Sequence, residues 1–508
     1  MNLDLIYKRQ KLHSLLDVLL EKKVSFLLAI VTAWCMIWFI HTWHYWEDDA
    51  YIHLEFARSV AAGAGFAFNG HVVNGDTSPL WVLLLAGFHA LFGNWIPAGK
   101  LLAIVGTIFT LVGSYYFSVR LVTAKQSCSI FAAAMVLLLV VNPYFNYWDF
   151  SGMEAVTAAG LALWATLAAT ARPSWKNILL GCFLAGIGPL LRPEMLFLVG
   201  ILSVVLLWQW YQMNDRKASI RNIAGFLLGV VLLVLPTLLW AHYALHAFGS
   251  IVPNTNAAKR AAPGDSVSFL LLEIYMLAFP VVFLGILTIA ALLMLRRYVK
   301  SANGKEVSSG MPPLAAWVFF VWSAMDALFY IKDHTHVQTR YILLTAPGLM
   351  FAVFALLYEK LTIRLFRVYY VLALALGVTI SSIATWPEIR NKVAGDRATD
   401  AIALYVRNNI PQDDPVAVYG IGQIAFVSQH PVIDTGGITR ASAIPLLNGT
   451  EADMLAWAKG QGAKYFISGD RPGPGAVPIF VRWEPNVGLS LNPRYYKNGG
   501  NTTLWKLP

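Results

Sequence analysis

The sequence predicts a polytopic α-helical membrane protein carrying a small C-terminal α/β domain outside the bilayer. Two observations carry the membrane part. The chain is 57% hydrophobic and only 13% charged, against roughly 25% charged for an ordinary soluble domain. Its apolar residues also fall in repeated runs of about 18 residues or more, the length that spans a ~30 Å hydrocarbon core. A third observation marks the domain: from about Trp386 onward the composition turns soluble, and short β-prone runs alternate with helical pattern.

The first apolar run, residues 24–43, follows Lys8, Arg9, Lys11, Lys22 and Lys23. It is too long for a signal-peptide core, and no small-residue cleavage site follows it, so it reads as a retained anchor with the N-terminus cytoplasmic. The next apolar piece, residues 79–93, reaches only about 22 Å as a helix, short of a membrane crossing. Placed along the interface, it puts Arg120, Lys125, Arg172, Lys176, Arg216, Lys217 and Arg221 all on the cytoplasmic side. Further spans are expected near 97–119, 127–142, 152–171, 177–191, 194–213, 222–246, 267–295, 313–331, 340–358 and 368–386, giving about eleven in all. The transmembrane part is thus 1–386, with an outer loop at 44–96, and the extracytoplasmic domain is 387–508. Within the domain the pattern predicts a helix over 387–410, strands over 416–419, 431–433 and 464–468, and a helix over 450–460. Gly420-Ile421-Gly422 reads as a turn, too short for a dinucleotide fingerprint.

The net charge of +10 lies in short clusters between apolar runs, the pattern of orientation signals rather than of a nucleic-acid surface. Cys35, Cys128 and Cys182 sit inside apolar runs with no close-spaced pair and read as small hydrophobes.

The chemistry concentrates where the chain leaves the first span. Glu47, Asp48, Asp49 and Glu55 gather at a membrane boundary, where carboxylates are costly without a role. One reading is a helix N-cap, with Gly63 closing the helix. The other is a general base whose acidic neighbour tunes it. His44 and His53 are candidate ligands for a divalent cation, although their spacing matches no defined metal motif. Cations on the same expected face form three groups: Arg192 beside Glu194, Lys259 with Arg260 after Asn254, and Lys332, His334 and His336 leading to Arg340. Positive charge on outer loops runs against the orientation bias, and a bound phosphate would account for it. Trp43, Tyr45, Trp46, Tyr51, Tyr144, Tyr147 and Trp148 fit an interfacial aromatic belt.

Asp48-Asp49-Ala50-Tyr51-Ile52, Arg58, Gly63, Gly65, Asn69 and Thr77-Ser78-Pro79-Leu80-Trp81 together resemble the first outer loop of GT-C-type integral membrane glycosyltransferases. The likeness is to the bacterial arabinofuranosyltransferase branch, which uses polyprenyl-phosphate sugars and includes cell-wall and pilin-glycosylating enzymes. Gly152-Met153-Glu154, Leu191-Arg192-Pro193-Glu194, Pro253-Asn254-Thr255, Ala258-Lys259, Arg340-Tyr341 and 432–437 extend it over roughly residues 44–440. Two segments depart: Asn74-Gly75-Asp76-Thr77 stands where the family has Glu-Gly-Tyr-Thr, and Glu55-Phe56-Ala57-Arg58 where it has Arg-Tyr-Ala-Arg. These departures bear on the identity of sugar and acceptor.

The resemblance implies a GT-C-like fold and inverting transfer of a sugar, with a pentofuranose such as arabinofuranose expected. The donor is polyprenyl-phosphate-linked, and the acceptor is a hydroxyl of a glycan, protein or lipid outside the bacterial cytoplasmic membrane. Asp48 or Asp49 is then the base. Arg58, Glu154, Arg192, Asn254, Lys259, Arg260, Lys332, His334, His336 and Arg340 are candidates for donor phosphate or substrate. Tyr51, Asn69, Thr77, Ser78 and Trp81 belong to the substrate loop. The rival expectation is a transporter or flippase for a lipid-linked anion. That class commonly carries internal repeats and midplane ionisable residues, and neither is evident in this sequence. A scaffold or receptor would leave the paired carboxylates without a use.

Overall fold

The computed structural model describes residues 3–122, 128–213, 220–261, 313–333, 338–360, 362–485 and 500–508. The expected span at 267–295, and His334 and His336, lie outside the described residues.

Helix α1 (Leu3–His41) leads to residues 42–94, which fold as α2 (Asp48–Ala61), a two-stranded ribbon of β1 (Ala67–Phe68) and β2 (His71–Val72), and α3 (Pro79–Phe92). Helices α4 (Trp95–Leu121), α5 (Cys128–Val140), α6 (Pro143–Trp148), α7 (Ala155–Ala169), α8 (Trp175–Leu191), α9 (Met195–Met213) and α10 (Ile220–Phe248) follow. After them come α11 (Asn254–Ala261), α12 (Leu314–Asp333), the short α13 (Thr339–Ile342), α14 (Ala346–Lys360) and α15 (Ile363–Ile380). The expected span at 340–358 is divided, because α13 and the turn after it hold Arg340 apart from the apolar helix α14.

Among the described residues, five helical stretches are long and apolar enough to cross a bilayer. They are Glu21–His41, Trp95–Leu121, Met195–Met213, Asn222–Phe248 and Ile363–Asn409, with shorter apolar helices between them. Large apolar side chains face outward along α10, including Leu227, Leu238 and Leu239, while polar Thr107, Thr110, Ser114 and Ser118 of α4 are buried inside. That is the arrangement of a multi-pass protein solvated by lipid. Close approach of α4 to α7 depends on glycine: a Cβ on Gly160 would lie 2.9 Å from the Thr110 Cα.

Buried Lys100 of α4 secures the end of the bundle that carries α2. Its ammonium donates to the carbonyls of Thr42 (2.8 Å), Tyr45 (2.7 Å) and Phe150 (2.5 Å). Three irregular carbonyls are thereby satisfied by one cation, fixing the chain that enters α2 against the chain that enters α7. Gly152 is required in that second segment. Its φ of +87° suits glycine, and a Cβ there would lie 2.5 Å from Trp46 and 2.8 Å from Ala50. Gly152→Ala is expected to destabilise the protein by about 1–3 kcal/mol, read as a lowered thermal midpoint in detergent. An unchanged midpoint would contradict this packing.

The C-terminal part begins with α16 (Trp386–Asn409), which continues α15 through a π-helical turn at Ser381–Thr385. Strands β3 (Val416–Val418), β4 (Val432–Asp434), β5 (Tyr465–Ser468), β6 (Val477–Glu484) and β7 (Gly500–Lys506) form one sheet in the order β4-β3-β5-β7-β6. β4, β3 and β5 run parallel, and β7 pairs antiparallel with both β5 and β6. Helix α17 (Ile421–Ser428) crosses from β3 to β4, and α18 (Glu451–Gly460) precedes β5. The expected α/β domain is therefore present, with two additional strands at its far edge. Ile389, Ile402, Val406, Ile421 and Ile424 join the same buried apolar cluster as Trp38, Trp81 and Trp148.

Candidate active site

Neither Asp48 nor Asp49 caps its own helix. Glu47 holds the N-cap position of α2 and makes no side-chain capping bond, so both aspartates stand in the first turn, where the helix dipole favours negative charge. Their side chains then diverge. Asp48 reaches the N-terminus of a different helix, α17. Its Oδ1 accepts from the Gln423 amide at 2.9 Å and its Oδ2 from the Gly422 amide at 3.3 Å. Burial and the charges of Asp49 and Glu47 push its carboxyl up to about 6, against the lowering effect of those two amides.

Asp49 points to the cations. Its Oδ2 accepts from Arg340 Nη2 at 2.5 Å, and its side chain remains 34% exposed. Burial would raise this carboxyl, but Arg340 and then Lys259 overrule it and bring it down to about 2. Arg340 itself is 3% exposed and lies over the rings of Trp148 (5.3 Å) and Tyr341 (5.6 Å). Its Nε and Nη1 have no hydrogen-bond partner among the described residues. Lys259 Nζ donates to the Tyr341 hydroxyl at 2.5 Å, and Arg192 sits over the other part of that ring at 4.7 Å. Burial opposes ionisation of the Tyr341 phenol, yet Lys259, Arg340 and Arg192 together pull its pKa below the usual value.

Beneath this cluster runs a buried chain of charges. Arg192 bonds Glu154 (2.6 Å) and Glu194 (2.7 Å), and Tyr330 donates to Glu194 at 2.7 Å. Glu154 makes an ion contact with His53 Nε2 at 3.3 Å, and His53 Nδ1 lies 2.5 Å from Asp76. Asp76 in turn accepts from the Ser78 amide at 2.6 Å. Burial favours the neutral imidazole, but Asp76 and Glu154 hold the His53 cation up to about 10. An unfolded histidine releases its proton near 6.5. The stabilisation is thus complete below about pH 6.5 and is lost progressively as pH rises toward about 10. The thermal midpoint in detergent is expected to fall over that window, and His53→Gln to flatten the fall. A wild-type midpoint that stays level from pH 7 to 10 would remove this role for the cation.

The structure gathers Asp49, Lys259, Arg340, Arg192 and Glu154 in one place and distributes the other expected residues elsewhere. Arg58 pairs with Glu55, three residues before it, and donates to the Phe426 carbonyl at 3.2 Å, so it faces the C-terminal domain. Asn69, at φ 50°, donates to the His430 carbonyl at 2.7 Å. Arg260 pairs with Asp333 on the exposed side of α11, and Lys332 is exposed at the end of α12. Asn254 starts α11 with its amide on the Asn74 carbonyl (2.8 Å). Trp81 donates to the Gly152 carbonyl at 2.9 Å, Ser78 is buried and Thr77 half-buried, and Tyr51 packs on Phe426 at 5.7 Å. These residues shape the loop rather than meet Asp49. His44 is exposed, and no group of three His, Cys, Asp or Glu among the described residues is placed to hold a metal ion.

Tyr341, Asp76, Lys392 and the amides of Gly422 and Gln423 take part here although the sequence assigned none of them a role at the site. Tyr341 had a signal, being adjacent to Arg340. Asp76 had one as well, since Asp two residues before a buried Ser-Pro helix start is an Asx-turn pattern. Lys392, which holds Glu47 at 2.8 Å across the chain, had none.

A crystal structure of ArnT from Cupriavidus metallidurans bound to undecaprenyl phosphate matches with TM-score 0.56 at 13% identity, covering 95% of this chain and 98% of that one. The apo structure of the same protein gives 0.55 at 14% identity, with 94% and 98% covered. The fold is of the GT-C type. A cryo-EM structure of the arabinofuranosyltransferase AftD from Mycobacteria gives 0.48 at 12% identity, covering 94% of this chain and 40% of that one. Residues 387–498 match a domain of unknown function, DUF8728. No curated protein matches the sequence. Within the GT-C-type fold, the Asp49–Arg340 pair joins helix α2 to the short helix α13.

Proposed function

We propose that the protein is a glycosyltransferase that transfers a sugar from a polyprenyl-phosphate donor to an acceptor hydroxyl, with inversion and with Asp49 as general base. One observation carries the reading: a half-exposed carboxylate is held by a buried arginine that keeps two further donors without a partner among the described residues. Buried guanidinium donors left open are costly, and a phosphate would satisfy them. ArnT, similar in fold, has been captured with undecaprenyl phosphate, which supports a lipid phosphate as the anion.

In the resting state Arg340 and Lys259 keep Asp49 a weak base. Donor phosphate arriving at the same cations competes with Asp49 for them and raises its basicity where the acceptor must lose a proton. The acceptor oxygen then bonds to the anomeric carbon as its proton passes to Asp49. The bond from the anomeric carbon to the phosphate oxygen breaks, and its electron pair leaves with polyprenyl phosphate. Arg340, Lys259 and the Tyr341 hydroxyl stand where that negative charge develops, the charge the site must favour. A single displacement inverts the centre and needs no second nucleophile.

The finer reading follows from the residues and the family resemblance. The sugar is a pentofuranose such as arabinofuranose. The acceptor is a glycan, protein or lipid on the extracytoplasmic face of a bacterial inner membrane, with the N-terminus cytoplasmic and residues 387–508 outside. A divalent cation remains a candidate cofactor to be tested by chelation. The deciding experiment incubates purified full-length protein in lipid with undecaprenyl-phosphate-linked arabinofuranose, other pentoses and hexoses. Sugar transfer supports the proposal. Movement of the lipid between leaflets without transfer would support a flippase instead and overturn it.

A further inference from the structure

We infer that the C-terminal domain completes the active site, with Asp48 as the positioning residue through which that domain fixes the helix bearing Asp49. The inference rests on the proposed role of Asp49 and gives the 387–498 segment a function.

Helix α2 is gripped by the domain along its length. At its start, Glu47 bonds Lys392 of α16 at 2.8 Å, and Asp48 takes the two α17 amides. Further along, Tyr51 packs on Phe426 and Arg58 donates to the Phe426 carbonyl. Beyond α2, Asn69 donates to the His430 carbonyl. The Asp48 contact governs Asp49, because it is made by the adjacent residue in the same helical turn. Two amide bonds to a carboxylate at a helix N-terminus are charge-assisted and directional. They stop α2 from rotating about its axis, the motion that would carry Asp49 away from Arg340.

The α17 side is shaped for this contact. A Cβ on Gly422 would lie 2.0 Å from the Asp48 carbonyl oxygen, so only glycine lets the two backbones approach. Gln423 is anchored in turn, its side-chain amide donating to the Asp396 carbonyl and to Asp400 Oδ1, both at 2.8 Å. The clamp therefore runs from α16 through Gln423 and Asp48 to Asp49. Its partners are separated by more than 370 residues of sequence.

Hydrogen–deuterium exchange on the full-length protein in lipid tests the clamp without needing the sugar. Asp48→Ala is expected to speed exchange roughly tenfold, the loss of one capping interaction, both at 421–424 and across 48–56. Gly422→Ala should reproduce the effect at 48–56 from the other side. Undecaprenyl phosphate binding should be retained in both variants, which also reports on folding. Turnover of the donor that the wild type uses should fall about tenfold in each variant with the donor KM little changed. The double variant should be no worse than either single, since the two changes break one contact. Faster exchange confined to 421–424, or additive losses in the double variant, would overturn the inference. If Asp48→Ala fails to fold, Gly422→Ala and Asp48→Asn, which keeps one acceptor oxygen, carry the same test. A wild type that binds no undecaprenyl phosphate would instead defeat the reading of the donor, and the exchange result would still decide the clamp.

Discussion

Asp49→Asn is expected to lower sugar transfer by about three orders of magnitude, the middle of the range for a lost general base, while undecaprenyl phosphate binds at least as tightly as before. The asymmetry follows from the pairing. Asp49 competes with the donor phosphate for Arg340, the partner 2.5 Å away, and asparagine, which loses the charge but keeps one acceptor oxygen, weakens that competition while removing the proton acceptor. A residue that merely shaped the pocket would affect binding and turnover together. Single-turnover rates measured beside equilibrium binding separate the two. Wild-type turnover in a variant carrying both Asp48→Asn and Asp49→Asn would sink the assignment.

Arg192→Met is expected to cause the largest loss of stability, about 3–5 kcal/mol, because it strands buried carboxylates. Arg192 is 3% exposed and bridges Glu154 to Glu194. Without it Glu154 keeps only the His53 contact, and Glu194 keeps the Tyr330 hydroxyl. The expected readout is a fall in the thermal midpoint in detergent together with poor recovery of folded protein. Adding Glu154→Gln should restore part of the loss, since one stranded charge is removed. A midpoint unchanged in Arg192→Met would show that the chain of charges contributes nothing to the fold.

The parts legible in the sequence are those that a local pattern determines. Apolar runs gave the positions of α4, α7, α8, α9 and α10 to within a few residues, because hydrophobic length alone fixes such helices. The short helix at Pro79–Phe92 was legible for the same reason, its apolar run being bounded by Ser78 and Gly93. Strands β6 and β7 were not. Pro478 and exposed positions such as Val477, Val481 and Trp483 mask the alternation of β6, and only pairing with Gly500–Lys506 defines it. Helix α16 was expected where it lies, but its continuity with α15 was hidden, since Pro387 reads as a break in a sequence.

At the site, residue type and membrane face led to Asp48, Asp49, Lys259, Arg192 and Arg340. Nothing local could divide the labour between the two aspartates, because that division is made by Arg340 on one side and the Gly422 and Gln423 amides on the other. Arg58 illustrates the converse. It is a cation on the right helix, yet its angular position turns it to Glu55 and Phe426 instead of the Tyr341 cluster.

The unbroken rod of Ile363–Asn409 bears on how such a protein can be taken apart or recombined. Its apolar part continues as the first helix of the C-terminal domain without a linker, and Trp386 at the junction stacks on His41 of α1 at 3.4 Å. A cassette cut at this point would sever a helix and part Trp386 from Trp38 and His41 of α1. Grafting the domain onto another membrane core would demand matched helical phase across the joint, so the two parts move together and not as separable modules.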